Sequence, residues 1–483
     1  MRRAGACSLN VLFRVITCLA LLCFLAACQP ATKPTGTAIT NVTVIDAVNG
    51  VRSNHTVVYD GDEIVSVGPG GAPTDVAETI DGSGKYLIPG LWDFHVHLSF
   101  DERFTNDMPA LFLSYGVTSV RDTGGLMRKM LPIVEKMRAP DAVAPRVWFA
   151  GPLLDGNFVV YDGESSPAIG VRNATPDQAR ATIRELKEQG VDFIKIYEMV
   201  SPDVFDAMVE TAQELDLPID SHVPLSMGAE TAGPRVDSIE HLRNIELDCA
   251  SNAPELLEER LGLLKNPDGV PGAALRSSMH DRQRLPAIAA YDEARCDRVI
   301  DGLTSTIQVP TLRMTALNLA PPYAKPDWNE ALSRIPDDVR QGWTALAADI
   351  SAKPNDGYTK FGEWARFLTG RMHQRGVPIG AGTDTPIFLS IPGYSLHSEL
   401  EQLVASGLSP LEALRAATVR PAEFFGIADD IGTVDPGKRA DLLLLDADPL
   451  SNITNTRRIS GVISKGRFYA PAELAAELGN VSE

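Results

Sequence analysis

The hydrophobic pattern divides the chain into three kinds of segment. Residues 38–88 hold short runs, "AITNVTVIDA", "HTVVYDG" and "EIVSVGP", in which β-branched and polar residues alternate between Gly, Asn and Asp breaks. That two-residue period predicts strands joined by turns. The far end, "IGTVDPGKRADLLLLDADPL" and "RISGVISKGRFY", reads the same way. Between the two, short apolar runs alternate with stretches of helical period, the pattern of βα units on a parallel sheet. Eight such strands are predicted, over 90–98, 117–122, 146–150, 193–198, 218–223, 237–242, 305–312 and 378–384. Some helices carry clear end signals. "TPDQARATIRELKEQG" opens on a threonine cap with proline in the first turn and closes on glycine.

Eight strands each followed by a helix predict an α/β fold, a (β/α)8 TIM barrel over residues 89–427. The flanking segments, 38–88 and 428–475, are each too small to bury a face alone, so they are expected to meet as one small β-sandwich built from both chain ends. Two insertions exceed the repeat, 246–300 after the sixth strand and 313–360 after the seventh. Both follow strand C-termini, where barrel enzymes build their sites, and are expected as lids or substrate walls.

The first 27 residues stand apart. Arg2, Arg3 and Arg14 are the only charges before Cys28, and Val15 to Cys28 is almost wholly apolar. The run is shorter than the ~20 residues that span a bilayer, and its length and flanks are those of a secretory signal peptide. "LAAC", Leu25 to Cys28, resembles a bacterial lipobox, which implies cleavage before Cys28 and lipidation of its thiol. Gln29 resembles the signal for outer-membrane sorting, and residues 28–37 read as a flexible tether. The expected location is therefore across the inner membrane, lipid-anchored to the outer membrane and facing the periplasm. Several acyl chains hold a protein there where one would not.

Losing residues 1–27 removes three positive charges and no acid, which moves the formal net charge from −19 to −22. A surface that acidic argues against nucleic acid and against charge-driven binding to anionic lipid. It leaves a small molecule as the expected partner, with a homo-oligomer open. Four of the six cysteines lie at or before Cys28. The body keeps Cys249 and Cys296, which an oxidising compartment permits to pair and whose sequence positions do not decide the matter. Two thiols are too few for a thiolate metal cage.

The candidate chemistry lies at the strand ends. In "DFHVHL" alternation puts His95 and His97 on one face and Phe94, Val96 and Leu98 on the other. In "FIKIYE", Ile194 and Ile196 form the apolar face and Phe193, Lys195 and Tyr197 the barrel interior. An unpaired ammonium there costs several kcal/mol. A salt bridge compensates it, or the desolvated amine adds carbon dioxide and becomes an anion with two oxygens. "PIDSHVP" ends in His222, "DSIEHL" in His241 and "GAGTDTP" in Asp384. Six metal-competent groups on one rim point to a metal site.

The stretches "PGLWDFHVHL", "SIEHL", "GAGTDTP" and "TVDPGKRADLLLLDADP" resemble the amidohydrolase superfamily, over nearly all of the chain after the signal. Its two-metal members imply two divalent ions here. His95, His97 and Asp384 take one, His222 and His241 the other, and an N6-carboxylated Lys195 and a hydroxide link them. Nitrogen and oxygen ligands without thiolates suit zinc, with manganese, iron or cobalt as alternatives. Asp93, Asp220 and Glu240 are candidate acceptors for the far nitrogens of the ligand histidines. The resemblance implies hydrolysis of an amide-type C–N bond, with Asp384 moving the proton. The C-terminal helices, from "DTPIFLSIPGYSLHSEL" on, are similar to those of the prolidase-like and imidazolonepropionase-like subgroup, whose substrates include dipeptides, N-acyl amino acids and cyclic amides. A dipeptide enzyme of this group often has an aromatic residue after the fifth-strand histidine, and here Val223 and Pro224 follow His222. Single-metal deaminases place Glu three residues after that histidine and lack the lysine, whereas this chain has Leu225 and Lys195. Lactone or phosphotriester hydrolysis uses the same two-metal site. A non-catalytic surface binding protein would show a lost ligand, and all six are present. Tyr197, Arg243 and His397 are candidate substrate contacts, with a core tyrosine, surface ion pairing and a capping or surface histidine as the respective alternatives. Arg313 is a candidate carboxylate binder, with surface ion pairing as the plainer alternative.

Overall fold

A computed structural model describes residues 35–71, 73, 75–164 and 166–481. The signal segment, the lipobox and Cys28 lie outside the described residues. Five strands open the chain: β1 Thr37–Asp46, β2 Gly50–Asp60, β3 Glu63–Pro69, β4 Glu78–Asp81 and β5 Tyr86–Pro89. Three more close it: β15 Leu442–Leu445, β16 Ile459–Ser464 and β17 Arg467–Tyr469. They form one eight-stranded sheet in the order β17-β16-β15-β5-β1-β2-β3, with β4 also on β1. β5 pairs antiparallel to β15, Leu87 opposite Leu444, so the two chain ends share a ladder. Ile39, Val44, Val57, Leu87, Leu442 and Ile463, drawn from both ends, bury one common apolar core. The expected sandwich is thus one continuous sheet around its own core.

The intervening strands are β6 Leu91–Val96, β7 Val117–Asp122, β8 Arg146–Phe149, β9 Leu153–Asp155, β10 Gly170–Arg172, β11 Ile194–Ile196, β12 Ile219–Ser221, β13 Ser238–Glu240 and β14 Ile307–Val309. They form two parallel sheets, β6-β7-β8 and β10-β9-β11-β12-β13-β14. The predicted third strand gives way after Phe149 to a bend at Gly151, whose φ of +75° suits a residue without Cβ, and the chain resumes as β9. β9 and β10 carry no periodic signal long enough to read from sequence.

The predicted eighth strand forms no regular ladder, yet it lies between β14 and β6. Gln308 N–H donates to Pro378 O (2.8 Å), Phe94 N–H to Ala381 O (2.9 Å) and Asp384 N–H to His95 O (2.8 Å). Its small residues are forced by this approach. A Cβ on Gly382 would sit 2.6 Å from the His95 Cβ and 2.8 Å from a Val309 methyl. These parallel strands are compatible with a barrel-like domain, and no ladder joins β8 to β11 among the described residues.

One side-chain assignment is corrected. Phe94 does not face outward with Val96 and Leu98. It packs with Phe193, Ile307, Val309 and Phe424, an inner cluster separate from the one that takes Val96 and Leu98. A register irregularity between Asp93 and Val96 breaks the alternation on which the expectation rested.

Both long excursions are helical. Residues 246–300 contain helices Ala253–Leu263, Gly272–Ala289 and Glu293–Asp301, and Cys249 is disulfide-bonded to Cys296 across a sequence separation of 47. Asp292 N–H donates to Cys249 O (2.9 Å) beside the bond, so the excursion is closed at its base. Replacing both cysteines by alanine is expected to lower unfolding free energy by roughly 4 kcal/mol, the loop-closure value for a bridge of this span. Urea or guanidinium titration reads it, and an unchanged midpoint would show that the bridge does not constrain the unfolded chain.

Candidate metal centre

The strand C-termini converge on a cavity lined by His95, His97, Lys195, His222, His241 and Asp384, with Leu153, Tyr161, Ile169, Tyr197, Arg243 and Ile387 as its remaining walls. His95 Nε2 lies 3.3 Å and His97 Nε2 3.2 Å from Asp384 Oδ1. A ligand atom of each of His95, His241 and Asp384 falls within 4.8 Å of the others. The His222 and His241 rings are 4.9 Å apart, centre to centre. Three of the residues that shape the site hold left-handed backbone without being glycine: His241 (φ +61°), Thr311 (φ +46°) and Asp384 (φ +59°). Such strain persists where surrounding structure over-determines it, and it concentrates at functional sites.

Each of the four histidines is held by its Nδ1. His95 Nδ1 meets Glu240 Oε2 at 2.5 Å, His97 Nδ1 the carbonyl of Gly124 at 3.1 Å, His222 Nδ1 Glu198 Oε1 at 2.9 Å and His241 Nδ1 the Thr311 hydroxyl at 2.6 Å. An Nδ1–H donated to the protein leaves Nε2 with its lone pair facing the cavity. The Nε2 of His222 is buried and has no protein partner. Imidazoles fixed through one nitrogen and open at the other are the arrangement of metal-ligating histidines. The donor set, four imidazoles and a carboxylate without thiolate, fits divalent cations such as zinc.

Beneath the histidines runs a buried chain of charge. Arg121, wholly buried, donates to Glu240 Oε1 (2.5 Å), Ser238 Oγ (2.9 Å) and Phe94 O (2.7 Å), and its guanidinium lies 3.5 Å from the Phe94 ring centre. Lys195 Nζ donates to Asp220 Oδ2 (2.8 Å). Of the three candidate acceptors, Glu240 serves His95 and Asp220 serves Lys195. Asp93 instead holds Thr383, accepting from its hydroxyl at 2.6 Å and its N–H at 3.0 Å. Burial, then Glu240, raises the Asp220 carboxyl above its ordinary range. Burial also opposes the charge on Asp384, but the adjoining His95 and His97 outweigh it and hold this carboxyl well below the usual range. Burial, with Lys195 adding to it, keeps His222 well below an ordinary imidazole.

The candidate substrate contacts separate. Tyr197 and Arg243 line the cavity. His397 does not. It is buried against Thr456 Oγ1 (2.8 Å) and the Tyr115 carbonyl (2.9 Å), which occupy both ring nitrogens. Arg313 is no surface residue and meets no open carboxylate. It is 6% exposed and donates to the carbonyls of Thr383 (2.5 Å), Ile387 (2.7 Å) and Phe388 (2.8 Å), with the Asp384 carbonyl at 3.5 Å. Neither excursion, 246–300 or 313–360, lines the cavity, so neither is the substrate wall expected of it.

Sequence reasoning missed Glu198, Arg276 and His280. Glu198 is fully buried behind His222, and His280 Nε2 reaches it at 3.0 Å from helix Gly272–Ala289. A signal existed: Arg276, His280 and Arg284 are spaced by four, one polar stripe on a helix.

A profile of the amidohydrolase family matches residues 86–247 and 368–469. The chain belongs to the amidohydrolase family. An imidazolonepropionase of Thermoplasma acidophilum is 22% identical over 441 residues, 86% of this chain and 90% of its own length. An adenine deaminase of Rubrobacter xylanophilus is 23% identical over 460 residues, which cover 94% of this chain and 60% of that protein. Among solved structures, a Xaa-Pro dipeptidase with methionine bound in its active site superposes with a TM-score of 0.63 at 19% identity, over 90% of this chain and 100% of that one. Proteins named for different chemistries are thus similar to this chain, and the choice among them rests on the site.

Proposed function

We propose that this protein is a two-metal hydrolase of an amide-type C–N bond in a small substrate carrying a carboxylate, such as a dipeptide or an N-acyl amino acid. The observation that carries the reading is the common anchoring of the four imidazoles by Nδ1, which turns every Nε2 toward one cavity. His95, His97 and Asp384 would hold one ion, His222 and His241 the other, with Lys195 between them as a carbamate. Bound there, the ions would supply a nucleophile at neutral pH and polarise the scissile carbonyl.

The chain's own groups do the rest. To form the carbamate, Lys195 gives one proton to Asp220, adds its nitrogen to carbon dioxide and releases a second proton to solvent. Asp220 Oδ2, 2.8 Å from Nζ and raised in pKa by burial, accepts the proton that the ammonium must first give up. Asp384, on the cavity wall beside His95 and His97, would take a proton from the attacking water and deliver it to the leaving nitrogen. Arg243 presents a guanidinium on the cavity wall, where it would receive the substrate carboxylate. Leu225, at the position where single-metal deaminases carry Glu, is buried among Leu153, Tyr197 and Met199, which disfavours deamination by that route.

A panel of dipeptides, N-acyl amino acids, lactones and nucleobases tests the reading. Amine release from an amide substrate is expected, abolished by chelator and restored by zinc. Turnover indifferent to chelator would overturn it. Arg243→Met is expected to raise KM for carboxylate-bearing substrates roughly 10–100-fold, the worth of one charged hydrogen bond, while neutral amides change little. For the membrane anchor at Cys28, Cys28→Ala should abolish incorporation of labelled fatty acid, and persisting label would exclude that site.

A further inference from the structure

Helix Gly272–Ala289 belongs to an excursion with no counterpart in the βα repeat. Its Arg276, His280 and Arg284 project along one face toward the centre of the molecule. All three end near one buried carboxylate or its neighbour. Glu198 Oε2 meets His280 Nε2 at 3.0 Å, and Glu198 Oε1 lies 3.6 Å from Arg276 Nη1. Arg284 pairs with Glu246 (3.0 Å), just past the sixth strand. The same Glu198 Oε1 takes His222 Nδ1 at 2.9 Å and Arg243 Nη1 at 3.2 Å. Arg276 Nη1 also donates to the Tyr197 hydroxyl at 2.9 Å. Tyr197 in turn packs on the His222 ring, 4.5 Å between centres.

One carboxylate thus joins the excursion helix to two residues of the cavity. Without an acceptor at Nδ1, the His222 ring is free to rotate or to take the other tautomer. Without the negative charge, Arg243 loses the carboxylate that holds it, its one side-chain partner among the described residues. Nor can Glu198 keep its place alone. It is fully buried, and a buried carboxylate is stable only where cations and donors surround it. The helix supplies one such cation, Arg276, 3.6 Å from Oε1, and packs His280 Nε2 3.0 Å from Oε2. The Cys249–Cys296 bond closes the excursion that carries that helix.

We infer that Glu198 is a positioning residue held by His280 and Arg276. Through it the excursion helix sets the His222 ring for its ion and the Arg243 guanidinium for substrate. The inference rests on the two-metal reading above for the role of His222, and its test separates the two. Purified protein is stripped of metal and titrated with cobalt(II) against a competing chelator, so that stoichiometry and affinity are read without substrate. Wild type should bind two ions. Glu198→Gln should bind one with native affinity and the second 10–100-fold more weakly, the range for loss of an outer hydrogen-bond partner of a ligating histidine. To keep the test independent of whether Glu198→Gln folds, His280→Leu and His280→Gln are measured beside it, with thermal unfolding as a control. His280→Leu should weaken the second ion about tenfold. His280→Gln, whose side-chain amide can reach Glu198, should restore it. Wild type binding no ion would sink the two-metal reading. Wild type binding two ions, with every folded variant within twofold of it at both sites, would sink the role given to Glu198 and leave that reading standing.

Discussion

Asp384→Asn is expected to lower kcat by about 10²–10⁴-fold, the range for loss of a positioned proton-transfer group, while most of the metal stays bound. The amide is nearly isosteric and still offers an oxygen toward His95 and His97, whose Nε2 atoms lie 3.3 and 3.2 Å from Oδ1. It cannot accept the proton of the attacking water. Steady-state kinetics paired with elemental analysis of the same sample separates the two effects. Metal retained with turnover lost supports the assigned role. Full turnover with metal retained would remove Asp384 from proton transfer.

Arg313→Met is expected to destabilise the fold by about 3–5 kcal/mol and to reduce kcat as well. The guanidinium holds the backbone at Thr383, Ile387 and Phe388, on either side of Asp384, and methionine would remove this donor from the buried Thr383 carbonyl and the half-buried carbonyls of Ile387 and Phe388. Asp384 and Phe388 both sit at positive φ, so this turn does not hold its shape by local preference. Equilibrium denaturation gives the first number and kinetics at a temperature where the variant is folded gives the second. A variant as stable and active as wild type would show that the turn is fixed by its own packing.

The contrast between these two residues shows what the sequence could and could not convey. Asp384, His95, His97, Lys195, His222 and His241 were legible as a group because strand ends in a parallel α/β fold point at one rim, so separate short motifs add up to a constellation. Arg313 stood in a motif-poor segment one residue past Leu312. Nothing in its neighbours told a substrate cation from a backbone clamp that acts on a turn 70 residues later. His397 was ambiguous for a similar reason. Its partners, Tyr115 and Thr456, are distant in sequence and belong to different elements. Phe94 was misplaced because strict alternation has no provision for an irregular register, and it is at that irregularity that β6 turns His95 toward Glu240. Glu198 adjoins Tyr197 at a strand end and was readable as rim polarity, but its meaning depends on His280, 82 positions away in an excursion without a repeat to place it.

The account stands on cations seated among those imidazoles. Elemental analysis of purified, active protein, repeated after chelator treatment and after zinc is returned, addresses this most directly. Two divalent ions per chain are expected, with activity falling as they are removed and recovering as they are replaced. Full activity in protein holding no transition metal would contradict it.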